Sequence, residues 1–473
     1  MSAPPLFDAE TLVRAIAARD ISCVEVMTSF LDRIERINPQ VNAIVSLRPR
    51  NELLAEAEAA DRAENRGPLH GIPFAIKDLV ETAGIRTTHG SPLFADPIPD
   101  RDDLLAVRIR AAGTILIGKT NTPEFGLGSH SFNPVHGVTR NPYDLSRTAG
   151  GSSGGAAAAL ATRMVPLADG SDTMGSLRNP AAFCNVYGFR PSFGRIARDG
   201  EGDLFLNQIS TDGPMARTVR DLALLLDVLA GPEAWDPHTL SAHSSFLAGL
   251  DGPARARRIG WIGDWNGYFA VEPEVLQLCG SALAKFSALG IDVEPVIPPF
   301  DPKRLWPAWL ALRAFANAGG KRDLYEDPAK RAALKPEQIW EIERGLAVTA
   351  LEVYDASVVR SEWFRTVAGM FETYDALVMP SAQVFPFDID LRWPDVVAGR
   401  PMSTYHQWME IVMPASIAGL PALNVPVGFS REGLPMGMQL IGPRGGDLQV
   451  LQLGEAYHQV SDWPGRHPPR LDP

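Results

Sequence analysis

The chain has 473 residues, of which 45% are apolar and 21% charged, proportions ordinary for a globular enzyme able to bury a large core without staples. A formal charge of −12 disfavours non-specific attraction to nucleic acid or anionic membrane, so neither is expected as a partner. Cys23, Cys184 and Cys279 are too widely spaced for a metal-ligand cluster or a disulfide framework, which excludes both classes of small scaffold and leaves no metal or cofactor expected.

The N-terminus has no basic segment followed by an apolar run, so no signal peptide is expected. No stretch of about 18 apolar residues occurs anywhere, and a cytoplasmic protein without a membrane span is expected. Over 8–36, Leu12, Ile16, Val24, Val26, Met27, Phe30, Leu31 and Ile34 recur at helical spacing, and Asn38-Pro39 predicts the stop. A second helix is expected from Asn51 to Asn65. Gly71 to Val80 is short and apolar and reads as a buried strand. A helix through Val107 and Ile109 leads to another strand over Thr114–Ile117.

From Thr148 to Gly155 the chain is rich in Gly and Ser, and Ala156–Thr162 reads as a helix of small residues. Met164–Ala168 predicts a short strand, followed by a polar loop to Ser176. A helix over 218–229, a strand over 258–262, a helix over 273–289 and a strand over 291–296 give a βαβ rhythm. Residues 300–370 lack strand signals, are rich in Trp and Arg, and read as a helical excursion. Ala376–Met379 and Ala422–Val427 resume strand character, and the Pro-rich tail from Trp463 to Pro473 reads as a surface extension. About 150 residues per domain would suggest three domains, a soft prior that large α/β enzymes often break. The expectation is one elaborated unit over 1–473 with an excursion at 300–370.

Three patterns compete for the chemistry. Gly113 to Thr120 satisfies the P-loop expression, but its four middle residues are apolar or β-branched and make a strand, and Pro123 disfavours a helix after Lys119. Gly150-Gly151-Ser152-Ser153-Gly154 satisfies the nucleophile-elbow expression, but the preceding Pro142–Arg147 is polar and turn-like where that motif needs a buried strand. The third pattern joins more residues. Gly150–Gly155 is followed by Ser176 within Asp172-Thr173-Met174-Gly175-Ser176-Leu177-Arg178, and preceded by Gly71–Asp78 carrying Lys77.

This constellation resembles the amidase signature family of Ser–Ser–Lys hydrolases. The resemblance extends through Gly118–Asn121 with Glu124-Phe125, Thr139–Pro142, Gly188–Pro191, Gly213–Thr218, Gly419–Pro426 and Leu434–Gly442. It implies an α/β fold, a large mixed β-sheet with helices on both faces. It also implies Ser176 as nucleophile, Ser152 as proton relay and Lys77 as the neutral base. Backbone amides of Thr173, Met174, Gly175 and Ser176 would form the oxyanion hole, Gly126 would face the substrate, and Ser153, Asp172 and Arg178 would brace the loop. A cis peptide before Ser152 is also implied. A serine hydroxyl needs such a base, and a lysine titrating near 10.4 must be depressed by roughly three units to serve near neutrality. The apolar neighbours Phe74 and Ile76 favour that depression, and Asp78 should point to the opposite face of the strand.

Two departures from the family pattern bear on the pocket. Met174 stands where glycine is usual, so it is strained if that position needs positive φ and otherwise lines the pocket. Arg190 replaces a common lysine and Asn185 a common glycine, and both are expected to be structural. Trp306, Trp309, Phe315 and Trp408 suggest a lean towards an aryl or alkyl amide, carbamate or ester, with core packing as the competing role. The rival functions are a glutamine-hydrolysing A-type subunit of a tRNA amidotransferase and a non-catalytic binding protein. A homodimer is left open.

Overall fold

The computed structural model describes residues 4–64, 67–199, 202–206, 208–242, 244–252 and 254–471. Eleven strands form one mixed sheet. In chain order they are β1 (Ile44–Val45), β2 (Pro73–Lys77), β3 (Ile115–Thr120), β4 (Leu167–Asp172), β5 (Tyr187–Arg190), β6 (Thr211–Ala216), β7 (Arg258–Trp261), β8 (Asp292–Pro295), β9 (Ala376–Pro380), β10 (Ala422–Phe429) and β11 (Pro435–Ile441). Their spatial order is β1-β3-β2-β4-β6-β5-β10-β11-β9-β7-β8. β2 runs parallel to both β3 and β4, and β7 runs parallel to both β8 and β9. The strands between these two parallel groups pair antiparallel.

Helices cover both faces. Neighbouring residues of β5 and β10 show this through their close contacts. A side chain at Gly188 would strike Leu177 and Ala181, at the start of the helix Arg178–Phe183. Phe189, the next residue, pairs with Leu423, which presses on Gly454 of the helix Asp447–Ser461. Alternation along a strand puts these two helices on opposite sides. β2 and β3 are buried along their whole length, the signature of strands covered on both faces.

The first helical region is two helices, Ala9–Ala18 and Cys23–Val41, and not one ending at Asn38. Arg19 turns into the left-handed region, and Ser22 and Glu25 form a capping box that starts the second helix. Pro39 lies inside its last turn, where only one backbone bond is forfeited before Asn42 caps the end. The next helix spans Arg50–Arg62, and Asn65 lies outside the described residues. The helix read over 273–289 is Pro273–Ala282 followed by Ala284–Ala288. β4 begins later than expected and includes Asp169-Gly170-Ser171-Asp172, because this polar stretch continues the pairing with β6 that Leu167 and Ala168 begin. β1, β5, β6 and β11 are strands that periodicity did not reveal.

The excursion is helical throughout: Leu305–Glu326, Pro328–Ala333, Pro336–Ala347 and Ala350–Met370. The tail is held to the body. Asn185 donates to the carbonyls of Trp463 and His467, and Tyr143 donates to that of His467 at 2.8 Å. Asp472 and Pro473 lie outside the described residues. Among the described residues no helix is long and apolar enough to cross a membrane.

Candidate active site

Lys77 and Asp172 are the last residues of two parallel neighbours, β2 and β4, and so reach the same edge of the sheet. The helix Gly154–Ala161 leads back into β4, which puts its start over that edge. Ser152 and Ser153 immediately precede the helix, and Ser176 lies in the turn after β4. The carboxyl ends of parallel strands are where α/β sheets generally build their sites.

Lys77 is buried, and its Nζ lies 2.7 Å from Ser152 Oγ, 2.9 Å from Ser153 Oγ and 3.0 Å from Ser171 Oγ. Burial pushes the ammonium from its ordinary value of 10.5 down to about 8, against the opposing charges of Asp169, Asp212 and Asp172. Asp78 points elsewhere, accepting hydrogen bonds from the amide and hydroxyl of Thr88. Asp169 accepts the Lys77 N–H at 2.9 Å, and its own burial raises the carboxyl to about 7. Burial raises Asp212 as well. Sequence reasoning passed over Ser171, Asp169 and Asp212. Asp169 and Ser171 are two apart on β4, and Asp212 pairs with Ser171 across β6, so all three share one face. A period-two reading of Asp169–Asp172 was the available signal.

The serine segments are tied together, with the Ser153 amide donating to the Ser176 carbonyl at 3.2 Å. The Gly151–Ser152 peptide bond is cis. Asp172 anchors the turn between them and the sheet. It accepts from Arg178 Nη2 at 3.0 Å and Arg190 Nη1 at 3.1 Å, and from the Gly175 amide at 2.8 Å. Burial alone would raise this carboxyl, but Arg178 and Arg190 outweigh it and hold the group below the usual carboxylate range. Arg178 also reaches the Val412 carbonyl and Ser416 Oγ, at 2.9 and 2.6 Å. The Gly175 amide is thus occupied. The amides of Thr173, Met174 and Ser176, like the Ser176 hydroxyl, donate no hydrogen bond among the described residues.

Met174 is not among the residues with positive φ, whereas Gly175 has φ 83°. The methionine is therefore unstrained, and its buried side chain lines the cavity. Asn185 does adopt positive φ, at 54°, a region that asparagine tolerates better than most side chains. Gly126 has φ 67°, and a side chain there would come within 2.8 Å of Leu79 Cδ1 and 3.5 Å of Ser152 Oγ.

A cavity of about 210 Å³ brings Ser176, Thr173, Met174 and Gly126 together. Phe125, Leu127 and Met409 give it an apolar part, and Arg198, Arg313 and Lys321 a cationic one. Trp306, Trp309, Phe315 and Trp408 do not line it, and the three tryptophans belong to the hydrophobic core. A second cavity of about 130 Å³ reaches Lys77 and is bounded by Asp103, Asp169, Asp199 and Asp212. Among the described residues no cluster of three His, Cys, Asp or Glu is arranged to hold a metal ion.

The two competing motifs take other parts. Lys119 sits within β3, and its Nζ donates to the Val80 carbonyl and Thr82 Oγ1 at 2.6 and 2.7 Å. The segment before Ser152, read as turn-like, contains a short strand, Asp144–Thr148, but it pairs in a two-stranded hairpin outside the main sheet.

The amidase family model matches residues 25–451. A glutamyl-tRNA(Gln) amidotransferase subunit of Thermus thermophilus is 36% identical, covering 95% of this chain and 96% of its own. An acylamidase of Rhodococcus erythropolis is 33% identical, covering 97% and 96%. The crystal structure of a bacterial aryl acylamidase matches with a TM-score of 0.92 at 30% identity, over 99% of both chains. Similarity to a tRNA amidotransferase subunit leaves the exclusion of nucleic-acid partners, drawn from net charge, without support. With a family match across most of its length and this sheet beneath it, the chain belongs to the amidase signature family and is a hydrolase of amide carbon–nitrogen bonds.

Proposed function

We propose that the chain hydrolyses small carboxylic amides through an acyl-enzyme on Ser176. The observation that carries this reading is the buried Lys77 Nζ at 2.7 Å from Ser152 Oγ, with its ammonium pushed down to about 8. Neutral Lys77 draws the proton of Ser152, and Ser152 draws that of Ser176 as Ser176 Oγ attacks the carbonyl carbon. Negative charge collects on the carbonyl oxygen, where the amides of Thr173, Met174 and Ser176 are free to receive it. Preorganised donors of this kind are typically worth about 2.7–4 kcal/mol each. The C–N bond breaks as the relay returns the proton to the leaving amine, and water then attacks the ester by the reverse path.

Ser176, and not Ser152, is the attacking group in this reading. Ser176 lines the larger cavity, whereas Ser152 is bonded to the base. The 0.92 match to an aryl acylamidase supports a stand-alone hydrolase. The 36% identity to an amidotransferase subunit supports a second reading, release of ammonia from glutamine for a partner subunit. Turnover of simple amides by the purified chain, set against turnover of glutamine, separates them. A serine-directed phosphonate should label the protein and fail to label Ser176→Ala. Equal labelling of both proteins overturns the nucleophile assignment.

A further inference from the structure

The charged side chains that line the cavity in front of Ser176 are all cations. Arg198, Arg313 and Lys321 line it, and no Asp or Glu does. This is unexpected in a chain whose net charge is −12. The charge of Arg313 is met, because its guanidinium donates to Glu341 at 2.6 Å and Tyr405 Oη at 2.8 Å. Lys321 is different. It is half-buried, and among the described residues it makes no hydrogen bond and no salt bridge. Its Nζ lies 5.7 Å from the centre of the Phe125 ring, beside Gly126. Burial and the nearby Arg313 push its ammonium below the ordinary lysine value, against the opposing charge of Glu341, which is itself bonded to Arg313. A partly desolvated cation without an acceptor is unfavourable on its own, and an arriving anion relieves that.

We propose that the amides taken by this cavity carry a carboxylate, which Lys321 holds while the amide carbonyl faces Ser176. A single ammonium without a hydrogen-bond or salt-bridge partner fits one carboxylate, and a cavity of about 210 Å³ fits a small molecule. The inference names the substrate class of the proposed hydrolase and rests on that reading. It refines the lean towards an aryl or alkyl amide, since the aromatic residues behind that lean do not reach the cavity and the cationic ones do.

Matched pairs test it: succinamate against butyramide, glutaramate against valeramide, and terephthalamate against p-toluamide. Binding is measured by calorimetry on Ser176→Ala, which holds ligand without turnover. At least one acid should bind tighter than its neutral partner by roughly tenfold to a hundredfold, the range of a charge-assisted hydrogen bond. Adding Lys321→Met should abolish that ratio, and adding Lys321→Arg should retain part of it. Lys321→Gln serves in place of Lys321→Met if the latter melts early. No preference in any pair, or a preference that survives loss of the lysine charge, overturns the proposal. Wild-type turnover of the same compounds is scored separately. Selective binding without hydrolysis leaves the Lys321 site standing and removes the hydrolase reading, whereas hydrolysis of neutral amides without selective binding does the reverse.

Discussion

At the sheet edge, the charges around the serines are held by partners. Lys77 has three serine hydroxyls, and Asp172 has two arginines and a backbone amide. Across the cavity, the helix Leu305–Glu326 presents Lys321 with no such partner among the described residues. Bond making needs groups already aimed before the substrate arrives, so that nothing reorganises during reaction. Selection needs the opposite, a group whose interaction is completed only by the right ligand. Substitutions at the sheet edge should therefore act on turnover, and substitutions on the helix on KM.

The largest loss should follow Ser176→Ala, a drop in kcat of roughly 10⁴-fold or more. Lys77→Met should cost about 10²- to 10⁴-fold, the range for removing a general base, and should also erase the pH dependence it controls. Neutral lysine is the active form in this mechanism, so kcat/KM should rise with pH through about 8. A rise of the same shape in Lys77→Met would assign the titration to another group. By contrast, Lys321→Met should appear mainly in KM for carboxylate-bearing amides. If it lowers kcat for all amides alike, the division between edge and helix fails.

Asp172→Asn probes the edge through stability. It leaves Arg178 and Arg190 buried against a neutral amide, and breaking such a pair costs about 3–5 kcal/mol. Thermal melting should show it directly. The carboxyl is held below its ordinary value, so its contribution is complete above the unfolded value near 3.8 and fades only as pH falls towards the lower folded value. The variant should lack that acid-limb decline.

The same two regions differ in how far the sequence revealed them. Ser152 and Ser176 stand in short segments rich in Gly and Ser, and Lys77 at the end of an apolar one, and in all three side-chain identity and order carry the information. β2 and β3 were legible because burial on both faces leaves a plain apolar run. β6 was not, because Thr211-Asp212-Gly213-Pro214 reads as a turn and becomes a strand only through its pairing with β4. The helix misled through its aromatics. Trp306 and Trp309 pack into the core, whereas the cavity wall is Arg313, Asn317 and Lys321. Those three continue a ridge of every fourth residue from Leu305 and Trp309, apolar where it meets the core and polar where it meets the cavity. The change of character along that ridge is in the sequence, but which neighbour the ridge meets is a tertiary fact.

Asp169→Asn should give the smallest change and the sharpest test of how the edge is tuned. Burial lowers Lys77, and Asp169 is the foremost of the acids opposing it. Asparagine keeps an oxygen for the Lys77 N–H but removes the negative charge that favours the ammonium. The Lys77 value should therefore fall below about 8. A nearby charge is typically worth about 1 pH unit or more, so at pH 7 the neutral fraction should grow from roughly a tenth to roughly half. The limb of kcat/KM should move to lower pH by about 1 unit, with its plateau little altered. A shift to higher pH would contradict the assigned charge balance. An unmoved limb would mean that Asp169 carries no charge while Lys77 titrates, so that its carboxyl, which burial raises to about 7, would have to lie higher still, above its neighbour at about 8.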